Sequence, residues 1–224
     1  MARPLALLLV GPTGSGKTPV GRRIEAEGLG KARAAHLDFG ECLRLVARRG
    51  AGTFGLSTAQ VAIVEQCLRT GALLEDDNFP IAEQIVNEFV RSHGLETNGL
   101  VLLNGLPRHV GQAAAVSGIV QVRAVTYLSC NARTVHERIA LDTGGDRAGR
   151  ADDSLPAVAT KLRIFEERTR PLLGFYASRG VPILRIPVAS DTSPEQSART
   201  IIDADEIRSV CTGADVPARS MQRS

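Results

Sequence analysis

Tryptophan is absent from this chain, and aromatic residues of every kind fill only 4% of its 224 positions. Proteins that hold single-stranded nucleic acid stack bases on aromatic side chains, so the shortage disfavours that class. An excess of one charge is also missing. Lysine and arginine number 27 against 24 acidic residues, a net charge of +3. That is too little to argue for a nucleic-acid or acidic-membrane partner. The four cysteines, Cys42, Cys67, Cys130 and Cys211, are scattered, with no Cys-x-x-Cys pair. Their spacing suggests neither structural zinc nor a disulfide framework. Isolated reduced thiols are the expectation. No apolar stretch approaches the length of a membrane span. The apolar run at residues 5–10 is short and leads directly into glycines, unlike a signal peptide. A cytoplasmic protein with neither a membrane nor a nucleic-acid partner is expected. What is present, 43% hydrophobic and 23% charged residues, suits one globular domain with a sizeable core.

The densest signal is GPTGSGKT, from Gly11 to Thr18. It satisfies the pattern Gly-x-x-x-x-Gly-Lys-Ser/Thr, which cradles phosphate when a buried strand precedes it and a helix follows. The preceding run LALLLV supplies the strand. Gly11, Gly14, Ser15 and Gly16 allow backbone N–H groups to turn inward on phosphate oxygens. The following helix adds its positive end. Lys17 can reach the terminal phosphates, and the Thr18 hydroxyl can bind Mg²⁺. Pro19 falls in the first helical turn, where its missing N–H has no partner to lose. Binding of a nucleoside triphosphate is implied.

Strand candidates occupy residues 5–10, 34–38, 100–104, 122–128 and 182–187. Several are apolar on both faces, as strands of a buried parallel sheet must be. Amphipathic segments lie between them at 18–27, 41–47, 58–69, 81–91, 132–140 and 155–178. The alternation predicts a doubly wound α/β fold with a five-stranded parallel sheet. One domain is expected over 1–212, carrying a helical insertion at about 53–90. A short charged loop, DTGGDRAGRADD at 142–153, reads as a mobile lid. Residues 213–224 read as a flexible tail.

Phosphoryl transfer asks for positioned substrates and for cations at the spreading charge. Ligands of open α/β sheets sit beyond strand ends. Three segments there carry suitable residues. In Asp38-Phe39-Gly40-Glu41-Cys42-Leu43-Arg44, Glu41 near a helix start can hold Mg²⁺ through water, and Arg44 can fork a phosphate. In Leu102-Leu103-Asn104-Gly105-Leu106-Pro107-Arg108, Gly105 permits close ligand approach and Arg108 emerges from a stiffened turn. Around the lid stand Arg138, Arg147 and Arg150, with Asp152 and Asp153 able to orient them. Taken singly, each segment reads equally well as a solvated surface.

Together, the phosphate loop, GExLR (40–44), LxxGxPRxxxQ (102–112) and RxDD (150–153) resemble the adenylate kinase, or nucleoside monophosphate kinase, family. The likeness runs from about residue 5 to 205, and KLRIFEERTRPLLGFY at 161–176 is similar to the family's last long helix. The resemblance implies ATP and a nucleoside monophosphate as partners, Mg²⁺ with the ATP, no structural zinc, and a monomer. It places Lys17 on the transferring group and Arg44 and Arg108 on the acceptor phosphate. Ala72, Leu73 and Leu74 would touch the acceptor nucleoside, and Gln112 its base edge. Arg138 would lie against adenine, with the loop at 189–193, including Ser193, closing that pocket. Arg147, Arg150 and Lys161 would complete the catalytic cations.

The chain departs from that family at Phe39, where Ser or Thr is usual near the acceptor base, and at Asn104, where an Asp orients waters on Mg²⁺. Lys161 replaces an Arg. With Asn104 neutral, the metal is expected to lean on Thr18 and Glu41. AMP is the first acceptor implied, with Phe39 leaving CMP, UMP and deoxynucleotides open. A kinase for another small molecule and a nucleotide-binding regulatory protein with little turnover are the alternative readings.

Overall fold

Five parallel strands form one sheet in the order β2-β3-β1-β4-β5. They are β1 (Leu5–Val10), β2 (Arg33–Asp38), β3 (Gly99–Asn104), β4 (Gln121–Ser129) and β5 (Ile183–Pro187). The structure, a computed structural model, describes residues 3–30, 33–96, 99–145 and 154–211, with Val210 and Cys211 described by backbone alone. The five strands fall where the apolar runs predicted them, and β3 is buried along its whole length. On β1, Ala6, Leu8 and Val10 enter the core on one face, while Leu7 and Leu9 enter a second core on the other. Strand periodicity of two thus feeds two apolar layers, and helices cover both.

The helices are α1 (Lys17–Glu27), α2 (Phe39–Arg49), α3 (Thr58–Thr70), α4 (Phe79–Ser92), α5 (Val110–Ile119), α6 (Ala132–Ala140), α7 (Leu155–Ile164), α8 (Leu172–Ala177), α9 (Pro194–Asp203) and α10 (Asp205–Cys211). Side-chain caps start several of them. Asp38 accepts from the Glu41 N–H at α2, and Asn131 accepts from Thr134 at α6. Ser57 with Gln60 and Ser193 with Gln196 form reciprocal capping boxes at α3 and α9.

The single helix expected at 155–178 is broken. Between α7 and α8, Phe165–Thr169 forms a π-helical turn, in which the Arg170 N–H reaches back five residues to the Phe165 carbonyl at 2.8 Å. Pro171, lacking an N–H, cannot continue a regular ladder just beyond it.

The insertion is anchored unevenly. Helix α4 buries Ile81, Ala82, Ile85, Val86, Phe89 and Val90 in the core shared with the sheet. Each large side chain of that kind contributes about 1.5–3 kcal/mol. Helix α3 buries only Val61 and Val64. So α4 belongs to the rigid body of the molecule, and α3 is the element held more loosely. The expected lid is described only as far as Gly145, and the expected tail at 213–224 lies outside the described residues.

Candidate active site

The carboxyl ends of β1, β2 and β3 open onto a cleft of about 250 Å³. Its floor is the phosphate loop. Gly14 (φ 76°) and Gly16 (φ 92°) take left-handed backbone there, a conformation that side chains disfavour. Gly11 is required for a different reason: a Cβ on it would lie 2.6 Å from Ser15 Oγ and 2.7 Å from the Leu128 carbonyl oxygen. Ser15 is buried and donates to the Pro12 carbonyl at 2.9 Å. Lys17 turns back over the loop and donates from Nζ to the carbonyls of Gly11 and Pro12, both at 2.7 Å.

Above the floor, three side chains from three elements meet. The Thr18 hydroxyl donates to Asp38 Oδ2 at 2.5 Å. Asn104 Nδ2 donates to the same Asp38 oxygen at 3.0 Å and to Thr18 Oγ1 at 3.1 Å. Register explains the meeting: Asp38 and Asn104 are paired residues at the ends of adjacent parallel strands. Burial pushes the Asp38 carboxyl up. The Thr18 hydroxyl, the Glu41 N–H, the neighbouring His36 ring and the Arg44 charge outweigh it and hold the group below its ordinary value. Asp38 therefore stays charged at neutral pH.

Arg108 and Arg44 face the same cleft. Among the described residues the Arg108 guanidinium has neither a hydrogen bond nor an ion pair. Burial lowers its pKa, with the charge of Asp38 opposing. A partly desolvated cation without a fixed anion is costly unless an anion arrives. Its main chain, by contrast, is held on both sides. The Arg108 N–H donates to Gln112 Oε1 at 2.8 Å, and its carbonyl accepts from Thr169 Oγ1 at 2.7 Å. Gly105, with φ 83°, lets the turn pass close to α2, and the Leu106–Pro107 peptide is cis.

Of the other expected acceptor contacts, Ala72 and Leu73 line the cleft, and so does Lys161. Leu74 is buried in the core instead. Gln112 does not line the cleft. It is buried, and its Nε2 donates to the Leu74 carbonyl at 2.5 Å while Oε1 serves Arg108. Its amide braces the insertion against the Arg108 turn rather than facing a base. Gln112→Ala is expected to cost about 1–3 kcal/mol for each buried partner left unsatisfied. Denaturant unfolding checks this, and unchanged stability would mean that water replaces both bonds.

Phe39 is likewise displaced from its expected place. Its ring is 3% exposed and sits in the core, because it is the first residue of α2 and follows a strand whose alternate residues enter the same layer. Phe39 is not among the residues that line the cleft. Glu41, expected near the metal, points to solvent and pairs with Arg22 at 3.0 Å. The carboxylate beside Thr18 is Asp38, a residue to which no motif assigns a role. An acidic residue ending a strand was the available signal.

On the donor side, Arg138 is buried and donates to three carbonyls: Gly14 at 3.0 Å, and Ala189 and Thr192 both at 2.7 Å. It ties the phosphate loop to the loop at 189–193. Ser193 caps α9. Arg147 and Arg150 lie outside the described residues.

This arrangement has known counterparts. A family profile described as an AAA domain matches residues 10–158. The adenylate kinase of Synechococcus sp. (strain WH7803) is 31% identical over 184 residues, covering 79% of this chain and 87% of that protein. The chain belongs to the adenylate kinase family. The adenylate kinase of Stenotrophomonas maltophilia (strain R551-3) is also 31% identical, over 183 residues, with the same coverage. That of Xylella fastidiosa (strain M23) is 30% identical over 188 residues, covering 81% and 90%. As a member of this nucleoside monophosphate kinase family, the protein is an ATP-dependent phosphotransferase built on a P-loop α/β fold. No helix among the described residues is long and apolar enough to cross a membrane.

Proposed function

We propose that the protein transfers the γ-phosphoryl group of ATP to a nucleoside monophosphate, with AMP as the first acceptor and Mg²⁺ bound to the donor. The observation that carries this reading is the half-buried guanidinium of Arg108, without a partner among the described residues, in the cleft floored by the phosphate loop. It supplies an anion site facing the donor site. Arg44 stands in the same cleft as a second fork for the acceptor phosphate. AMP is named first because the relatives are named adenylate kinase.

In this reading the loop N–H groups hold the donor phosphates, and the Lys17 ammonium exchanges the carbonyls of Gly11 and Pro12 for phosphoryl oxygens. Arg44 and Arg108 place the acceptor phosphate in line, and Lys161 neutralises charge between the two. Arg147 and Arg150 are proposed to join from the lid, whose closure excludes water as a competing acceptor. Transfer is direct, with no covalent enzyme intermediate. Thr18 and Asp38 offer the hard oxygen donors that suit Mg²⁺ alongside substrate phosphates. When bound, the ion neutralises phosphate charge.

Purified protein with Mg-ATP and each nucleoside monophosphate in turn is expected to form ADP, fastest with AMP. Measurable ATP binding without ADP formation from any monophosphate overturns the reading.

A further inference from the structure

We infer that the carboxylate serving the nucleotide's Mg²⁺ in this chain is Asp38, at the end of β2, and that Asn104 at the end of β3 acts as its positioning residue. The inference rests on the metal-dependent reading above. It assigns the metal's carboxylate to a different strand from the one that carries it in the chain's family.

The resemblance that identified Asn104 as a departure left the metal without a carboxylate, and Glu41 was the expected substitute. Glu41 is exposed and engaged by Arg22. Asp38 is not engaged outward. Its Oδ1 caps α2 by accepting from the Glu41 N–H at 3.0 Å, which fixes the plane of the carboxylate. Its Oδ2 lies 2.5 Å from Thr18 Oγ1, the hydroxyl that the phosphate-loop motif assigns to the metal. Both residues line the cleft.

The hydrogen-bond directions are chemically consistent. Thr18 gives its proton to Asp38, which turns the hydroxyl's lone pairs outward. Asn104 occupies one of them from Nδ2, leaving the other for a cation. An amide suits the Asn104 position because it donates to both oxygens. A second carboxylate there would meet Asp38 across paired strands with no proton between them. The carboxylate has moved by one strand spacing, about 4.8 Å, and the polar group opposite has become its donor. Mg²⁺ usually keeps several waters, so Asp38 acts on the ion's water shell or on the ion itself from this side.

Affinity for ADP, measured by calorimetry with Mg²⁺ and again with EDTA, gives the metal's contribution as a ratio. Mn²⁺ resonance spectra of the protein–ADP complex read the ion directly. Asp38→Asn keeps an oxygen for the α2 cap. It is expected to lower the ratio by about 10–100-fold, the scale seen when a group supporting a metal site is lost. Its ADP affinity in EDTA should stay at the wild-type value. The exchange Asp38→Asn with Asn104→Asp is expected to recover most of the ratio and the Mn²⁺ spectrum.

An Asp38→Asn protein with the wild-type ratio overturns the inference. So does one that loses ADP affinity equally with and without Mg²⁺, which would mark Asp38 as structural. A folded exchange variant with no recovery overturns the role given to Asn104. Wild-type protein whose ADP binding ignores Mg²⁺ overturns both this inference and the metal dependence it rests on. Wild-type protein that binds Mg-ADP but phosphorylates no monophosphate overturns the kinase reading only, and the variant ratios still decide Asp38.

Discussion

Arg108→Ala is expected to lower kcat/KM by at least about 100-fold, the scale lost when a single charge-stabilising donor is removed from a preorganised site. The reason lies in how the residue is held. Its backbone N–H and carbonyl are both fixed, by Gln112 and Thr169, while its guanidinium has no partner of its own among the described residues. The side chain therefore meets an incoming anion without first breaking an ion pair. Truncation removes the charge but leaves the two main-chain bonds intact, so the unfolding midpoint should change little or rise. Arg108→Lys should recover only part of the activity, because an ammonium does not present the guanidinium's fork. Steady-state kinetics with varied AMP and ATP check this. Near-native kinetics in Arg108→Ala would place the acceptor phosphate elsewhere.

Lys17→Met is expected to cost still more, about 1,000-fold or above in kcat, because this cation sits where charge develops on the group in transit. In the structure its ammonium is satisfied by loop carbonyls, so the loop geometry is partly held by the lysine itself. Two effects then separate by measurement. Loss of transition-state charge stabilisation lowers kcat. Loss of the loop's internal bonds weakens ADP binding. A variant with unchanged kcat but weak ADP binding would leave Lys17 as a scaffold of the loop and assign transfer to Lys161 and the arginines.

The parts of this molecule that were legible in its sequence share a property: their signal is local. All five strands announced themselves as apolar runs, and the phosphate loop as a contiguous motif. Helix α5 did not, because its exposed side carries Ala114 and Gly118 rather than charged residues. The buried set Gln112, Ala113, Val116 and Ile119 has helical spacing, but little contrast marks it. Helix α9 carries a local signal of its start. Ser193-Pro194-Glu195-Gln196 is a capping box with proline in the first turn.

The site was legible in its charges and illegible in its pairings. Arg44, Arg108 and Lys161 were named from motifs and line one cleft. The partnership of Asp38 with Asn104 depends on β2 lying beside β3, a consequence of strand order that no local pattern reports. The same holds for Gln112, whose two side-chain bonds reach back four residues to Arg108 and 38 residues to Leu74. Phe39 was misplaced because helix phase, set by where α2 begins, decides which way its ring points.

Lys161, Phe165 and Thr169 are spaced four apart, and all three line the cleft. On a regular α-helix each step of four overshoots a full circle by about 40°, so two steps would carry Thr169 about 80° away from the direction of Lys161. The π-helical turn from Phe165 to Thr169 is wider, so its step falls short of the circle rather than past it. The second step cancels the first. One inserted width of backbone thus acts as an angular correction, which brings a cation and the hydroxyl that steadies Arg108 onto a single line along the wall of the cleft.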